Sequence, residues 1–329
     1  MIKLGNLSQS LRFWLQSTLQ LGPGIGDVFY LCDPTVVGDN YHVWLANQRV
    51  PGDHIFNDLP TAYTAMKDQR NDALIVLPGT YNITTVFDWH KSNCFVIGAN
   101  QGTPYSPRAR IIVPATVITA CTPMITVSGN ANFFQNIEFQ QGGAHITNAA
   151  VCMLITGLRQ RFNHCHIAAG LDSGGLAAGN AAMRSLVIRT GENIFEDCVI
   201  GVDTIQGGNV ANAQIDFDGG AQTAATLAPR NIFRRCNIDK WGGVGSVFMN
   251  ISAYGMDRFV LFEDCMFQNF GANLTQAFTI VTTGGVGKVL LKNSVVQGVT
   301  GLETSDSGLL FGNDVPGAGT GGRWVALTG

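Results

Sequence analysis

Charge is what this sequence has least of. Asp, Glu, Lys and Arg make up 13% of its 329 residues, about half the roughly 25% of a typical soluble domain. A surface so poor in charge favours burial in an assembly. Twenty basic residues against 23 acidic ones leave a net charge of −3. No basic stripe interrupts the chain, so no nucleic acid is expected as a partner. Long apolar runs are missing as well. None reaches the roughly 18 residues of a membrane span, so no membrane is expected as a partner either. Near the start, Lys3 is followed by Asn6, Ser8, Gln9, Ser10 and Arg12, which break any signal-peptide core. Leu4, Leu7, Leu11 and Trp14 fall at helical spacing instead, and synthesis in the cytoplasm is the expectation. The eight cysteines include no Cys-x-x-Cys pair, which argues against a zinc ribbon or a thioredoxin-like site. Gly22-Pro-Gly-Ile-Gly26 has no Lys-Ser/Thr after it and reads as a linker rather than a phosphate loop.

What the sequence does have is an internal repeat. Six segments align without gaps: Phe134-Gln-Asn-Ile-Glu-Phe139, Phe162-Asn-His-Cys-His-Ile167, Phe195-Glu-Asp-Cys-Val-Ile200, Phe233-Arg-Arg-Cys-Asn-Ile238, Phe262-Glu-Asp-Cys-Met-Phe267 and Leu291-Lys-Asn-Ser-Val-Val296. Successive segments start 28, 33, 38, 29 and 29 residues apart. A period near 30 with variable additions is what one coil plus a loop of changing length produces. A second apolar run precedes most of these segments: Met124–Val127, Val151–Ile155, Leu186–Ile188, Gln214–Phe217, Val247–Ile251 and Phe278–Val281. The runs are too short and too closely punctuated by Gly for helical repeats. A single coil cannot bury its own apolar face, but stacked coils share a continuous core. The fold class expected is therefore all-β, a parallel solenoid running from about Ala73 to Phe311.

The repeat assigns side chains to faces. Cys165, Cys198, Cys236 and Cys265 share one inward column, opened by Ile137 and closed by Ser294. Because the position accepts Ile and Ser, the cysteines read as free thiols filling space rather than as disulfides. Two outward columns follow the Phe. One is Gln135, Asn163, Glu196, Arg234, Glu263 and Lys292. The other is Asn136, His164, Asp197, Arg235, Asp264 and Asn293. From the third coil the sign of the charge alternates in both, which fits a ladder that sets register on an exposed face. Ahead of the coils, residues 55–70 carry Leu59, Ala62, Tyr63 and Met66 on one side of a helical pattern. They read as a cap over the open edge of the stack.

A helix followed by Leu74-Ile-Val-Leu-Pro-Gly-Thr-Tyr81, then coils bearing Phe-x-Asp-Cys-x-Ile, resembles the pectin-lyase-like superfamily. The resemblance covers about residues 53–300 and implies a single-stranded, right-handed parallel β-helix. That superfamily includes lyases, hydrolases, esterases, phage tailspikes and non-catalytic virion proteins. The opening Gly26-Asp-Val-Phe-Tyr-Leu-Cys-Asp-Pro34, with Asp39-Asn-Tyr41, is similar to phage structural proteins. Three parts are expected: an N-terminal arm, 1–50; the β-helix with its cap, 51–311; and a Gly-rich C-terminal arm, 312–329. Trp14, Trp44 and Trp324 lie in the two terminal parts and are candidate interface anchors.

Candidate catalytic residues are few. Glycosidases need paired carboxylates at a controlled separation. Glu196, Asp197, Glu263 and Asp264 are already accounted for by the charge ladder. Asp216 and Asp218 could share a face and, with Asp203 or Asp239 from neighbouring coils, form the best acidic cluster. Solvated turn carboxylates are the plainer reading. The polygalacturonase signatures Asn-Thr-Asp, Asp-Asp, Gly-His-Gly and Arg-Ile-Lys are absent as a set. His164 and His166 flank Cys165, and alternation aims both away from it with no further ligand in view. No metal or cofactor is expected. The exposed aromatics Tyr254, Trp241 and Phe270 keep a carbohydrate-binding or carbohydrate-cleaving tailspike open. The leading expectation is a non-catalytic virion protein, present in several copies. It would decorate or cement a phage capsid, with the major capsid protein or other virion proteins as partners.

Overall fold

The computed structural model describes residues 26–32, 41–99, 102–117, 121–143, 150–171, 179–219, 228–281, 287–303 and the backbone of 309–312. Every strand pairing within the named sheets is parallel, and each coil contributes one strand to each of three long sheets. The chain is a right-handed parallel β-helix. The first sheet has eleven strands, among them Ala73–Val76, Phe133–Gln135, Arg161–Asn163, Ile194–Glu196, Asn231–Arg234, Phe259–Glu263 and Lys288–Lys292. The second has eight, from Gly79–Asn82 to Val295–Gln297. The third has seven, from Phe87–Trp89 to Phe278–Ile280. All six apolar runs ahead of the repeat segments are strands of this third sheet, within a residue or two of the expected bounds.

The repeat segment is the corner between the first and second sheets. Its Phe is the last residue but one of a strand of the first sheet and its last apolar residue lies in a strand of the second. Between them sits a residue with positive φ: Asn136, His164, Asp197, Arg235, Asp264 and Asn293, all between 50° and 56°. Left-handed backbone favours Asn and Asp among non-glycine residues. The second outward column is therefore a turn column first and a charge column second. The turns lock to one another. The amides of Asn136, His164, Asp197, Arg235 and Asp264 donate to the carbonyls of Asn163, Glu196, Arg234, Glu263 and Lys292 on the next coil.

Inside the corner the Phe rings of 134, 162, 195, 233 and 262 stack. Their centroids are 4.5–4.9 Å apart and their planes within 20° of parallel. Each such pair adds about 0.5–1.5 kcal/mol beyond its buried area. All eight cysteines are free and buried. The column thiols do more than fill space. The Cys236 Sγ–H reaches the carbonyls of Arg234 (3.3 Å) and Phe195 (3.5 Å), and that of Cys265 reaches Glu263 (3.4 Å) and Phe233 (3.5 Å). Ser294 Oγ makes the same pair of contacts, to Lys292 and Phe262, at 3.1 Å each. A small donor suits the position, which explains why Ser closes the stack.

A second ladder runs through the turns into the first sheet. The amide of Cys94 donates to Asn132 Oδ1, that of Asn132 to Gln160 Oε1, that of Gln160 to Asn193 Oδ1 and that of Asn193 to Asn231 Oδ1. These buried side chains satisfy backbone donors that a turn leaves without partners.

The N-terminal end departs from expectation in two ways. The helix is shorter than 55–70: it covers Leu59–Ala65, because Ile55–Phe56 pairs as a strand with Tyr30 and Leu31. Asp58 caps its start by accepting from the Thr61 amide at 2.8 Å. Lys91 Nζ donates to the Tyr63 and Met66 carbonyls at its end. Leu59, Ala62, Tyr63 and Met66 are all buried against the stack. The second departure lies in 1–50. Val28–Leu31 is a strand of the first sheet, between Ile55–Phe56 and Ala73–Val76, so that part of the segment belongs to the β-helix rather than to an arm. Among the described residues, no helix is long and apolar enough to cross a membrane.

Candidate functional site

The outer face of the first sheet carries the charge ladder. Glu196 sits between Arg161 (2.8 Å) and Arg234 (3.5 Å), and Glu263 between Arg234 (3.0 Å) and Lys292 (2.5 Å). Arg161, which precedes the Phe rather than following it, extends the ladder by one rung. The second column is not continuous. Asp197 and Arg235 form a two-pronged pair at 2.7 and 2.8 Å, while Asp264 makes its turn contact through its backbone. The expected alternation in both columns therefore holds as ion pairs in one column and as a single pair in the other. The Lys292 and Arg234 bonds hold the Glu263 carboxyl below its ordinary range, and the Arg235 guanidinium does the same for Asp197.

Asp216 and Asp218 do not join Asp203 or Asp239. Asp216 lies in the third sheet, bonded to Arg184 Nε (2.7 Å) and Asn250 Nδ2 (2.9 Å). Asp218 is held by Arg189 at 2.5 and 2.9 Å. Asp239 lies in the second sheet. Period-two spacing placed Asp216 and Asp218 on one face, but sequence distance could not reveal that the neighbouring coils' acids turn a corner first. The pairs with Arg184 and Arg189 neutralise both.

The second sheet holds the less ordinary chemistry. Its outward column reads Arg110, Glu138, His166, Val199, Asn237, Met266 and Val295. Arg110 Nε donates to Glu138 at 2.9 Å. His166 Nε2 lies 2.9 Å from the Gly201 carbonyl, so that nitrogen carries the proton. Its Nδ1 is buried without a partner and stands 3.9 Å from Glu138. Asp239 is 3% exposed and its Oδ1 has no partner. Burial, then the nearby Asp203 charge, push this carboxyl up to about 7, against a smaller opposing effect of the Tyr105 hydroxyl. Tyr105 Oη accepts from Asn237 Nδ2 at 2.5 Å. Gly201, at φ +96°, lets the strands close, since a Cβ there would lie 2.2 Å from the Asp239 carbonyl oxygen.

The next residue, Lys240, points inward and is 1% exposed. Its amine donates to Asn212 Oδ1 at 2.5 Å. Burial, with Arg184 adding to it, pulls the amine down to about 7. Neither Tyr105 nor Lys240 was singled out by sequence reasoning. A Lys between Ile238 and Trp241 was the only signal, in a strand whose alternation aims it at the core.

Of the candidate interface residues, Trp44 is exposed on the helix Tyr41–Asn47, whereas Trp14 and Trp324 lie outside the described residues. Trp241, Val244, Met266, Phe270 and Val295 are exposed toward the C-terminal end of the rod. Among the described residues, no group of three or more His, Cys, Asp or Glu side chains is placed to hold a metal.

The architecture defines the class, a right-handed parallel β-helix. No family model and no curated protein matches the sequence. Solved structures do match in fold. Pectin methylesterase PemA from Erwinia chrysanthemi superposes with a TM-score of 0.55 at 11% identity, over 88% of this chain and 89% of that one. Pectate lyase Pel9A gives 0.53 at 15% identity, over 88% and 75%. Pectin methylesterase from carrot gives 0.51 at 11%, over 88% and 82%. At such identities the likeness is one of fold.

Proposed function

We propose that this chain is a non-catalytic structural rod of a phage particle, an auxiliary protein that decorates or cements the capsid by binding the major capsid protein. One observation carries the reading. Three of the four carboxylates that the repeat places in reach of solvent, Glu196, Asp197 and Glu263, are taken up by Arg and Lys of adjacent coils, and Asp216 and Asp218 are likewise paired. Side chains spent on register are unavailable as an acid and a nucleophile. The low overall charge and the exposed Trp44, Trp241 and Phe270 suit a surface that meets other subunits. Many shallow contacts multiplied over a lattice then supply the binding strength. The test is immunogold electron microscopy of purified particles. Regular labelling of the shell supports the reading; particles that lack the protein, or carry it only on the tail, sink it.

A second reading, a tailspike or fibre domain that binds or cleaves host polysaccharide, draws on one feature: the raised Asp239 carboxyl beside Asp203, with Tyr105 and Trp241 exposed nearby. Release of reducing ends from host polysaccharide, lost in Asp239→Asn and kept in Asp216→Ala, would favour it over the rod.

A further inference from the structure

We propose that residues 102–108 form a pH-released strap, which lies along the outer face of the second sheet while Asp239 is protonated and lets go when Asp239 ionises. In a solenoid each coil touches its immediate neighbours. Tyr105 breaks that rule. It precedes the strand Ala109–Val113, yet it bonds Asn237, 132 positions later. Along the second sheet, Asn237–Lys240 is four strands from Ala109–Val113, a reach of about 19 Å at the ~4.8 Å strand spacing. The outward residues between them, Glu138, His166 and Val199, are only 8%, 8% and 2% exposed. Within the strap, a bridge between Thr103 and Ser106 folds the chain into a turn with Tyr105 near its tip. Ser106 Oγ also accepts from Arg110, at 2.9 Å.

The far end rests on Asp239. That carboxyl faces Asp203 from the end of the preceding strand and Tyr105 from the strap. Asn237 lies on its own strand, and Gln268 is its register partner on the next. His166, with its Nε2 on the Gly201 carbonyl, stands two strands back. Lys240 points the other way, into the core. Asp203 is thus the charged group that acts on it, and its Oδ1 has nothing to bond. A covered carboxyl in that setting is stable when neutral and costly when ionised.

The linkage has a definite sign. Covered, the group titrates near 7; its ordinary value is 3.8. A raised value stabilises the covered form fully below the ordinary value, and that contribution is lost as pH rises through about 7. The strap therefore loosens as pH rises, with an opening equilibrium shifted by up to about a thousandfold. Release uncovers Glu138, His166, Val199 and the acid pair, a face offered increasingly as pH rises to about 7 and fully above it. This goes beyond the rod reading and stands whether or not the rod sits on a shell.

The test is hydrogen exchange on the full-length protein from about pH 5 to about pH 9, corrected for the intrinsic pH dependence of exchange. Protection of 102–108 should fall as pH rises toward about 7 and level off above it. Asp239→Asn, which stays neutral, should keep the segment protected at every pH. Tyr105→Phe should lose protection at every pH. Asp203→Asn should shrink the loss and make it level off at lower pH; it also serves if Asp239→Asn fails to fold. Constant protection in the native protein overturns the proposal. So does an unchanged pH profile in a folded Asp239→Asn or Asp203→Asn.

Discussion

The outer faces of the first and second sheets are built from the same coils, one corner apart, and Glu263 on one and Asp239 on the other are treated in opposite ways. On the first sheet and its turn, Glu196, Glu263 and Asp197 stand in reach of water and are met by Arg or Lys, and Asp197 and Glu263 are held below their ordinary range. On the second, Asp239 is covered and faces another acid, so it is held above. A depressed carboxylate stabilises the fold above its ordinary value and loses that contribution as pH falls through the depressed one; a raised carboxylate does the reverse. Acidification should therefore weaken the first face and strengthen the second. The difference arises from cover: a strap lies over one face, and solvent over the other.

The largest effect should come from the interior that both faces share. Phe195→Ala removes the middle ring of the stack and should cost about 3–5 kcal/mol in denaturant titrations. Because it sits under the corner, it should weaken both faces alike.

Asp239→Asn tests the second face alone. It should raise stability above neutral pH, by up to about 4 kcal/mol for a shift of roughly three pH units, and leave it unchanged near pH 4. Denaturation midpoints at the two pH values give the comparison. Equal effects at both would mean that cover, and not charge, sets the difference between the faces.

Glu196→Gln tests the first face. It removes the carboxylate between Arg161 and Arg234, and exposed pairs of this kind contribute about 0.2–1 kcal/mol each. The loss should shrink in high salt, whereas the effect of Asp239→Asn should hardly respond to salt. Smallest should be Cys236→Ser, which keeps a donor for the Phe195 and Arg234 carbonyls and should cost less than about 1.5 kcal/mol. A larger cost would show that the thiol's bulk matters more than its hydrogen bond.

How much of this was legible beforehand depends on how local the cause is. The strands of the third sheet, the stacked Phe positions and the inward Cys column follow from spacing, because each coil repeats the same alternation. The buried face of the cap, Leu59, Ala62, Tyr63 and Met66, follows from helical period. The Asn132, Gln160, Asn193 and Asn231 ladder was present in the sequence too, two residues before each Phe. The turn column carries alternating charges, and the preference of Asn and Asp for left-handed backbone also marks it as a turn. The acidic cluster failed for a different reason. Asp216 and Asp239 belong to neighbouring coils, but the coil turns a corner between them, and a repeat length does not say where the corners fall in space.

The sequence by itself determined the coil, its period, its inward and outward positions and the cap at its start, since these rest on alternation and helical spacing within a few residues. Only the tertiary structure decided which acids are paired and which are buried, and that the loop before Ala109 reaches Asn237. Those outcomes depend on contacts between segments up to 132 positions apart, and on whether solvent reaches a face. Neither is written in any local pattern.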